Sequence, residues 1–327
     1  MGLGQRNVGL KQSVVVVGAA AVDILGAPES HTLIHKDAVP GRVHLALGGV
    51  ARNIAENLAR LGVSTELISA LGDDFFGALI REQANELGIS LASCLEYPNE
   101  RSATFIAINE MDGDLALAIA DMGIIERITP ADLDNHATLL NNATAIVLET
   151  DLSQDIIEYL AIQYRHIPLF GDPVSVAKAG RLTNVISHFH TLKPNQYEAE
   201  YLSGTFIRDQ ASLDAALDYF LNQNVQQVFI TLGKHGVYYG NTLERGFMLA
   251  PPVTPINTLG AGDAFLAACV EGFLQKRSLV ETTHRAQLAA YWTLQGLHTV
   301  NPTLSSNRIG ALQIEMPPHI LSEVPYL

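Results

Sequence analysis

Asn257-Thr258-Leu259-Gly260-Ala261-Gly262-Asp263-Ala264-Phe265 places a carboxylate directly behind a Gly-Ala-Gly turn. Downstream, Phe265, Leu266, Cys269, Val270, Phe273 and Leu274 recur at helical spacing, which predicts a buried helix from near Gly262 to about Gln275. The first amides of such a helix have no intrahelical partner, and the helix dipole favours negative charge beside them. Glycines at the turn let an anion approach the backbone closely. Gly260, Ala261 and Gly262 therefore read as an anion hole, with Asp263 placed to accept a proton from an attacking hydroxyl. Because the dipole favours the charged carboxylate, Asp263 is expected to be a weak base in the ground state, with proton transfer late. The structural alternative is a Gly-rich turn followed by a favourable first-turn Asp.

Working outward, Val14 to Val17 is a β-branched run closed by Gly18, and Val63 to Ala70 reads as a second strand. Between them, Val50, Ile54, Leu58 and Leu61 make an apolar stripe stopped at Gly62. Further strands are expected at Ala145 to Leu148, Leu169 to Gly171, Thr191 to Leu192 and Val228 to Leu232, with helices such as Asp155 to Tyr164 and Ser212 to Leu221 between them. This alternation predicts an α/β fold with a doubly wound, mostly parallel sheet. Two stretches break it. Thr32 to Leu47 alternates without a helix, and Ala103 to Ala120 reads as a hairpin about Asp112-Gly113. Either forms an ordinary surface hairpin or a small β lid.

At 327 residues and 48% hydrophobic content the chain can bury a large core, and one large domain with an insertion fits best. Its formal net charge of −14 argues against a duplex nucleic-acid surface, which needs a basic stripe. Cys94 and Cys269 are too few for a disulfide framework or a cysteine zinc site, and are read as reduced structural thiols. The apolar run Val14 to Val22 ends at Asp23, short of the roughly 20 residues a membrane span needs, so no membrane association and a cytoplasmic location are expected. Walker-A, Gly-x-Gly-x-x-Gly and His-Glu-x-x-His motifs are absent from the sequence.

Gly-Ala-Gly-Asp-Ala-Phe resembles the C-terminal signature of the ribokinase-like (PfkB) family of sugar and nucleoside kinases, and the resemblance runs from about Ser13 to Asn307. It is carried further by Gly48-Gly49-Val50-Ala51-Arg52-Asn53-Ile54-Ala55, Asp172-Pro173-Val174-Ser175, His190-Thr191-Leu192-Lys193-Pro194-Asn195 and Asn301-Pro302-Thr303-Leu304-Ser305. The second and fourth of these are most similar to the pseudouridine-phosphorylating branch. The resemblance implies a kinase domain over residues 13–310 with lid strands near 32–47 and 103–120, and peripheral termini at 1–12 and 311–327. It implies ATP with Mg²⁺, a small nucleoside or sugar substrate, and a homodimer formed through the lid.

The resemblance also implies roles for particular residues. Asp23, expected to terminate the first strand, would hold substrate hydroxyls, and Gly49 with Asn53 would contact the sugar at a helix entrance. Glu149 corresponds to another substrate position. Ser102 and Thr104 share a face of the first lid strand and could reach a base or sugar, and the Asp172 to Lys178 segment is implied to lie near substrate or phosphate. Asn195 and Glu198 match an Asn-x-x-Glu motif that orders Mg²⁺ and phosphates through water, although capping is the ordinary use of that spacing. Thr231 and Gly233 match a nucleotide-binding loop. Asn257 stands where many members carry an Asp that helps bind a monovalent cation; an uncharged ligand leaves K⁺ dependence open. The implied activity is transfer of a phosphoryl group from ATP to the 5′-hydroxyl of pseudouridine. The alternatives are another nucleoside or sugar such as ribose, inosine or adenosine, and a non-catalytic metabolite sensor on the same fold.

Overall fold

Ser13–Val17 is a strand whose alternate side chains enter two different cores. Val14 and Val16 pack on one side of the sheet and Val15 and Val17 on the other, all fully buried. A strand covered on both faces needs such a continuous apolar run, and each valine contributes roughly 1.5–3 kcal/mol by leaving water. The structure, a computed structural model, describes residues 13–29, 37–110, 115–312 and 318–319. Residues 32–36 of the first expected lid stretch, the Asp112-Gly113 turn, residues 1–12 and most of 311–327 lie outside the described residues.

Among the described residues the main sheet has nine strands in the order Pro318–His319, Arg245–Met248, Val237–Gly240, Gln227–Thr231, Thr191–Leu192, Leu169–Asp172, Ala145–Glu149, Ser13–Val17, Ser64–Ile68. From Ser64–Ile68 to Gln227–Thr231 every pair is parallel, as expected; the next three strands are antiparallel. Their short, non-periodic runs carry no alternation long enough to read from sequence. Ser13–Val17 pairs with Ser64–Ile68 on one side and Ala145–Glu149 on the other, which makes the gap beyond their carboxyl ends the topological switch point. Helices Val50–Arg60, Ala261–Leu274 and Leu279–Leu294 all cover the Val14/Val16 face. Phe229 of the sheet meets Phe265 edge-on at 5.7 Å, which seats the second of these helices.

A second sheet lies apart, with four strands among the described residues in the order Gly41–Gly48, Ala21–Pro28, Ala103–Asn109, Leu115–Asp121. The last two are antiparallel, as the hairpin reading expects. Asp23 differs from expectation. The first strand ends at Val17, and Asp23 is the third residue of Ala21–Pro28, inside the small sheet. Gly18-Ala19-Ala20 carries the chain from one sheet to the other, and the apolar continuity of Val14 to Val22 hides that break in the sequence.

Candidate active site

The Ala261–Leu274 helix begins as the sequence predicts, capped by Gly260 in a left-handed conformation. A side chain on Gly260 would meet the Thr299 carbonyl oxygen at 1.8 Å, so only glycine lets the turn lie against that segment. The amides of the first helical turn open toward a cavity of about 570 Å³ lined by Thr231, Gly233, Lys234, Thr258, Gly262 and Phe265, among others. Thr231 and Gly233, both sequence candidates, therefore reach the same space as the Gly-Ala-Gly turn.

Asp263 sits in the first turn and is 8% exposed. Asn53, carried by the Val50–Arg60 helix, donates from Nδ2 to Asp263 Oδ2 at 2.8 Å, joining two residues 210 positions apart. Burial, with Asp172 nearby, pushes the Asp263 carboxyl up to about 7, against the opposing pull of Asn53 and Lys193. The expectation of a weak ground-state base is thus corrected. The dipole bias of a first-turn carboxylate is typically 0.3–1 kcal/mol at an exposed site, roughly, and desolvation exceeds it here.

Asp23 faces the same region from the small sheet. A side chain on Gly48 would fall 2.2 Å from the Asp23 carboxylate, so the glycine at that place makes room for it. Burial pushes Asp23 up to about 6, with Arg52 drawing it down. Gly49 caps the Val50–Arg60 helix and joins this wall.

Lys193, within the His190 to Asn195 stretch, completes the site. Its ammonium lies 2.9 Å from Asp172, with both side chains buried. A side chain on Gly262 would meet the Lys193 ammonium at 3.0 Å, which puts the cation directly against the anion-hole turn. Burial works against its charge, yet Asp172, Glu198 and Asp263 outweigh it and raise its pKa above the ordinary lysine value. Lysine directly before Pro194-Asn195 was the available signal, but its burial is a tertiary fact.

Asn195 and Glu198 form a capping box. Glu198 accepts from the Asn195 amide at 2.8 Å, and the Asn195 side chain accepts from the Glu198 amide at 3.0 Å. A box of this kind is ordinarily exposed, whereas Glu198 is 2% exposed and its carboxyl is raised first by burial and then by Asp172.

Other candidates fall elsewhere. Glu149 is fully buried, with one oxygen accepting from the Ala19 amide at 2.6 Å and the other from the Asp151 amide, so it braces the switch point. Ser102 donates to Asp74 at 2.7 Å and accepts from the Gly72 amide at 3.0 Å. Thr104 pairs with Val22 while Phe105 pairs with Asp23, so Thr104 lies on the opposite face of the small sheet from Asp23 and half-buried Phe105 shares Asp23's face. Lys178 pairs with Asp151, near the carboxyl end of Ala145–Glu149. Asn257 donates to the Leu297 carbonyl at 3.3 Å and accepts from the Leu259 amide at 3.0 Å, tying the turn to the following loop.

Residues 11–306 match the family model described as pfkB family carbohydrate kinase, and the chain belongs to that family. It is 32% identical over 296 residues to the pseudouridine kinase of Escherichia coli, covering 90% of this chain and 94% of that one. It is 34% identical over 294 residues to the uncharacterized sugar kinase YeiI of the same organism, covering 90% of this chain and 81% of that one. A crystal structure from Clostridium perfringens, of a protein described as a sugar kinase, superposes with a TM-score of 0.83 at 32% identity, covering 95% of this chain and 99% of that one. The fold is ribokinase-like, and the protein is an ATP-dependent sugar or nucleoside kinase. Among the described residues no helix is long and apolar enough to cross a membrane.

Proposed function

We propose that the chain phosphorylates the 5′-hydroxyl of pseudouridine with ATP as donor. The observation that carries the kinase chemistry is Asp263, hydrogen-bonded to Asn53 and seated beside both the Gly260–Gly262 turn and Lys193. Asp23 accepts hydrogen bonds from the ribose 2′,3′-diol. Asn53 holds Oδ2 of Asp263, leaving Oδ1 to take the proton of the 5′-hydroxyl as its oxygen attacks the γ-phosphorus. The bond from that phosphorus to the β,γ-bridging oxygen breaks and ADP leaves. The first-turn amides and the Lys193 ammonium stabilise the charge on the moving phosphoryl group.

The donor set fits Mg²⁺. Asp172, Glu198 and Asp263 all act on the Lys193 ammonium, so when ionised the three carboxylates carry more negative charge than Lys193 balances. Among the described residues no three His, Cys, Asp or Glu side chains converge as an all-protein metal cage, which suits an ion that keeps most of its waters and binds largely through phosphate. Bound with the nucleotide, Mg²⁺ would supply the missing positive charge, and Glu198 with Asn195 would hold its waters. Asn257 already bridges the turn and the Leu297 carbonyl, so K⁺ is not required on this reading.

Pseudouridine carries a ring N–H that uridine lacks, and a site that accepts from it discriminates where shape alone cannot. With Ser102 engaged and Thr104 on the far face, the place for that acceptor is the Asp151 to Lys178 region at the switch point. A panel of pseudouridine, uridine, ribose and inosine with ATP and Mg²⁺ should give kcat/KM for pseudouridine at least about 10²-fold above uridine. Turnover in tetramethylammonium should match that in K⁺. Equal use of the two nucleosides refutes the pseudouridine assignment. A preference for free sugar does the same, and is the competing outcome that the likeness to a sugar kinase of unassigned substrate favours.

The same reading includes a homodimer through the small sheet. Val43, Leu45, Ile106, Leu117 and Ile119 are exposed, and the strand register puts them on one face with Ile24 and Ile108. An apolar sheet face of this extent suits a second copy of itself. Sedimentation should give a dimer for the native chain and a monomer for Ile119→Lys; a native monomer at micromolar concentration rejects the interface.

A further inference from the structure

Arg52 is the third residue of the Val50–Arg60 helix and is 5% exposed, an unusual fate for an arginine that no phosphate-binding motif claims. Nη1 donates to the Leu47 carbonyl and to Asn53 Oδ1, each at 3.0 Å. Nη2 donates to Glu56 and to Gln83. Thr299 Oγ1 reaches the same two acceptors, Leu47 O at 3.0 Å and Asn53 Oδ1 at 3.3 Å.

An asparagine amide has one accepting end and one donating end, and a guanidinium can only donate. With Arg52 at Oδ1, the amide has a single workable orientation, and Nδ2 faces Asp263. A flipped amide would aim a carbonyl oxygen at a carboxylate and leave Arg52 pointing at an N–H₂ group. Orientation of the base is thereby decided one residue behind the residue that touches it.

We propose that Arg52 is a positioning residue for phosphoryl transfer: its fork fixes the Asn53 amide that holds Asp263, and its charge supports the substrate-gripping carboxylate of Asp23. The proposal rests on the kinase reading above. The charged or titratable groups around it are Glu56 and Arg60 on its own helix, His298 across a small cavity, and the Asp23 carboxylate, with Asp263 one hydrogen bond further on through Asn53. Asp23 pairs in register with Ala46, the residue before the Leu47 carbonyl that Arg52 grips, and of these groups Arg52 is the cation that opposes the effect of burial on Asp23. Glu56 is shared with Arg60, so part of its balance survives the loss of Arg52.

Two variants separate the fork from the charge. Arg52→Lys keeps the charge and loses the planar pair of donors. Arg52→Gln combined with Glu56→Gln removes both charges of that buried pair together, so Glu56 is not left as a stranded carboxylate. In full-length protein with ¹³C-labelled aspartate, the Asp23 carboxyl midpoint should stay in place in Arg52→Lys and rise by about one pH unit or more in the double variant. Turnover should fall by up to about 10²-fold in both variants, with the KM for ATP unchanged. An unmoved Asp23 midpoint in the folded double variant overturns the charge role, and normal turnover in Arg52→Lys overturns the fork role. If the native chain phosphorylates nothing in the substrate panel, the pseudouridine reading fails, while the Asp23 titration still decides whether Arg52 governs that carboxylate.

Discussion

Asp263→Asn is expected to lower kcat by about 10²–10⁴, the range for removing a positioned general base. The change is nearly isosteric, and Asn53 Nδ2 still finds an acceptor, so nucleotide binding should persist. In the native chain kcat/KM should fall tenfold per pH unit below about 7, where burial places the Asp263 carboxyl. A variant that turns over near the native rate would remove Asp263 from its role as base.

The same substitution should stabilise the protein. Asp263 has a folded-state pKa of about 7 against an ordinary 3.8, so folding disfavours its charged form. Below the ordinary value both states are protonated and nothing is lost. As pH rises from there toward 7 the unfolded chain releases a proton that the folded chain retains, and stability falls; above 7 the full cost remains. That cost is up to about 4 kcal/mol, of which the weaker neutral bond to Asn53 returns about 1. At pH 8 the variant should melt roughly 4 °C or more above the native chain, and the advantage should vanish toward pH 4. An equal Tm at both values would show that the carboxylate is better solvated than its burial indicates.

Much of this site was legible before any coordinates, for identifiable reasons. The helix from Ala261, its glycine cap and the place of Asp263 follow from local chemistry, since cap, turn and apolar period are all written within a few residues. The pairing of Asn53 with Asp263 is not legible in the sequence, where the resemblance implies only a sugar contact for Asn53, because no local rule joins residues 210 positions apart. What failed was parity and burial. Ser102 and Thr104 are expected to share one face of a lid strand toward the substrate, yet pairing of Phe105 with Asp23 puts Thr104 on the other face of the small sheet. Glu149 sits at the strand end where ligands bind, but both of its oxygens serve backbone amides that only the folded switch point brings near. The raised pKa of Asp263 differs from the sequence expectation because the dipole can be read from position, whereas desolvation depends on everything packed around the group.

Lys193→Met tests the residue that the sequence motif left without a role. Removing a preorganised cation beside the moving phosphoryl group should cost about 10²–10³ in kcat, the scale for one lost transition-state donor. The single variant also strands Asp172, whose buried partner is gone, and should destabilise the fold by about 3–5 kcal/mol. Activity loss alone would therefore say little, since a damaged fold also loses activity. Lys193→Met combined with Asp172→Asn removes both charges, and the stability should largely return because no unpaired carboxylate remains. Activity should not return with it, for the ammonium held 3.0 Å from the side-chain position of Gly262 is still missing. A double variant that melts like the native chain and still turns over slowly assigns Lys193 to the phosphoryl group; recovery of both stability and turnover would reduce the Lys193–Asp172 pair to a structural brace.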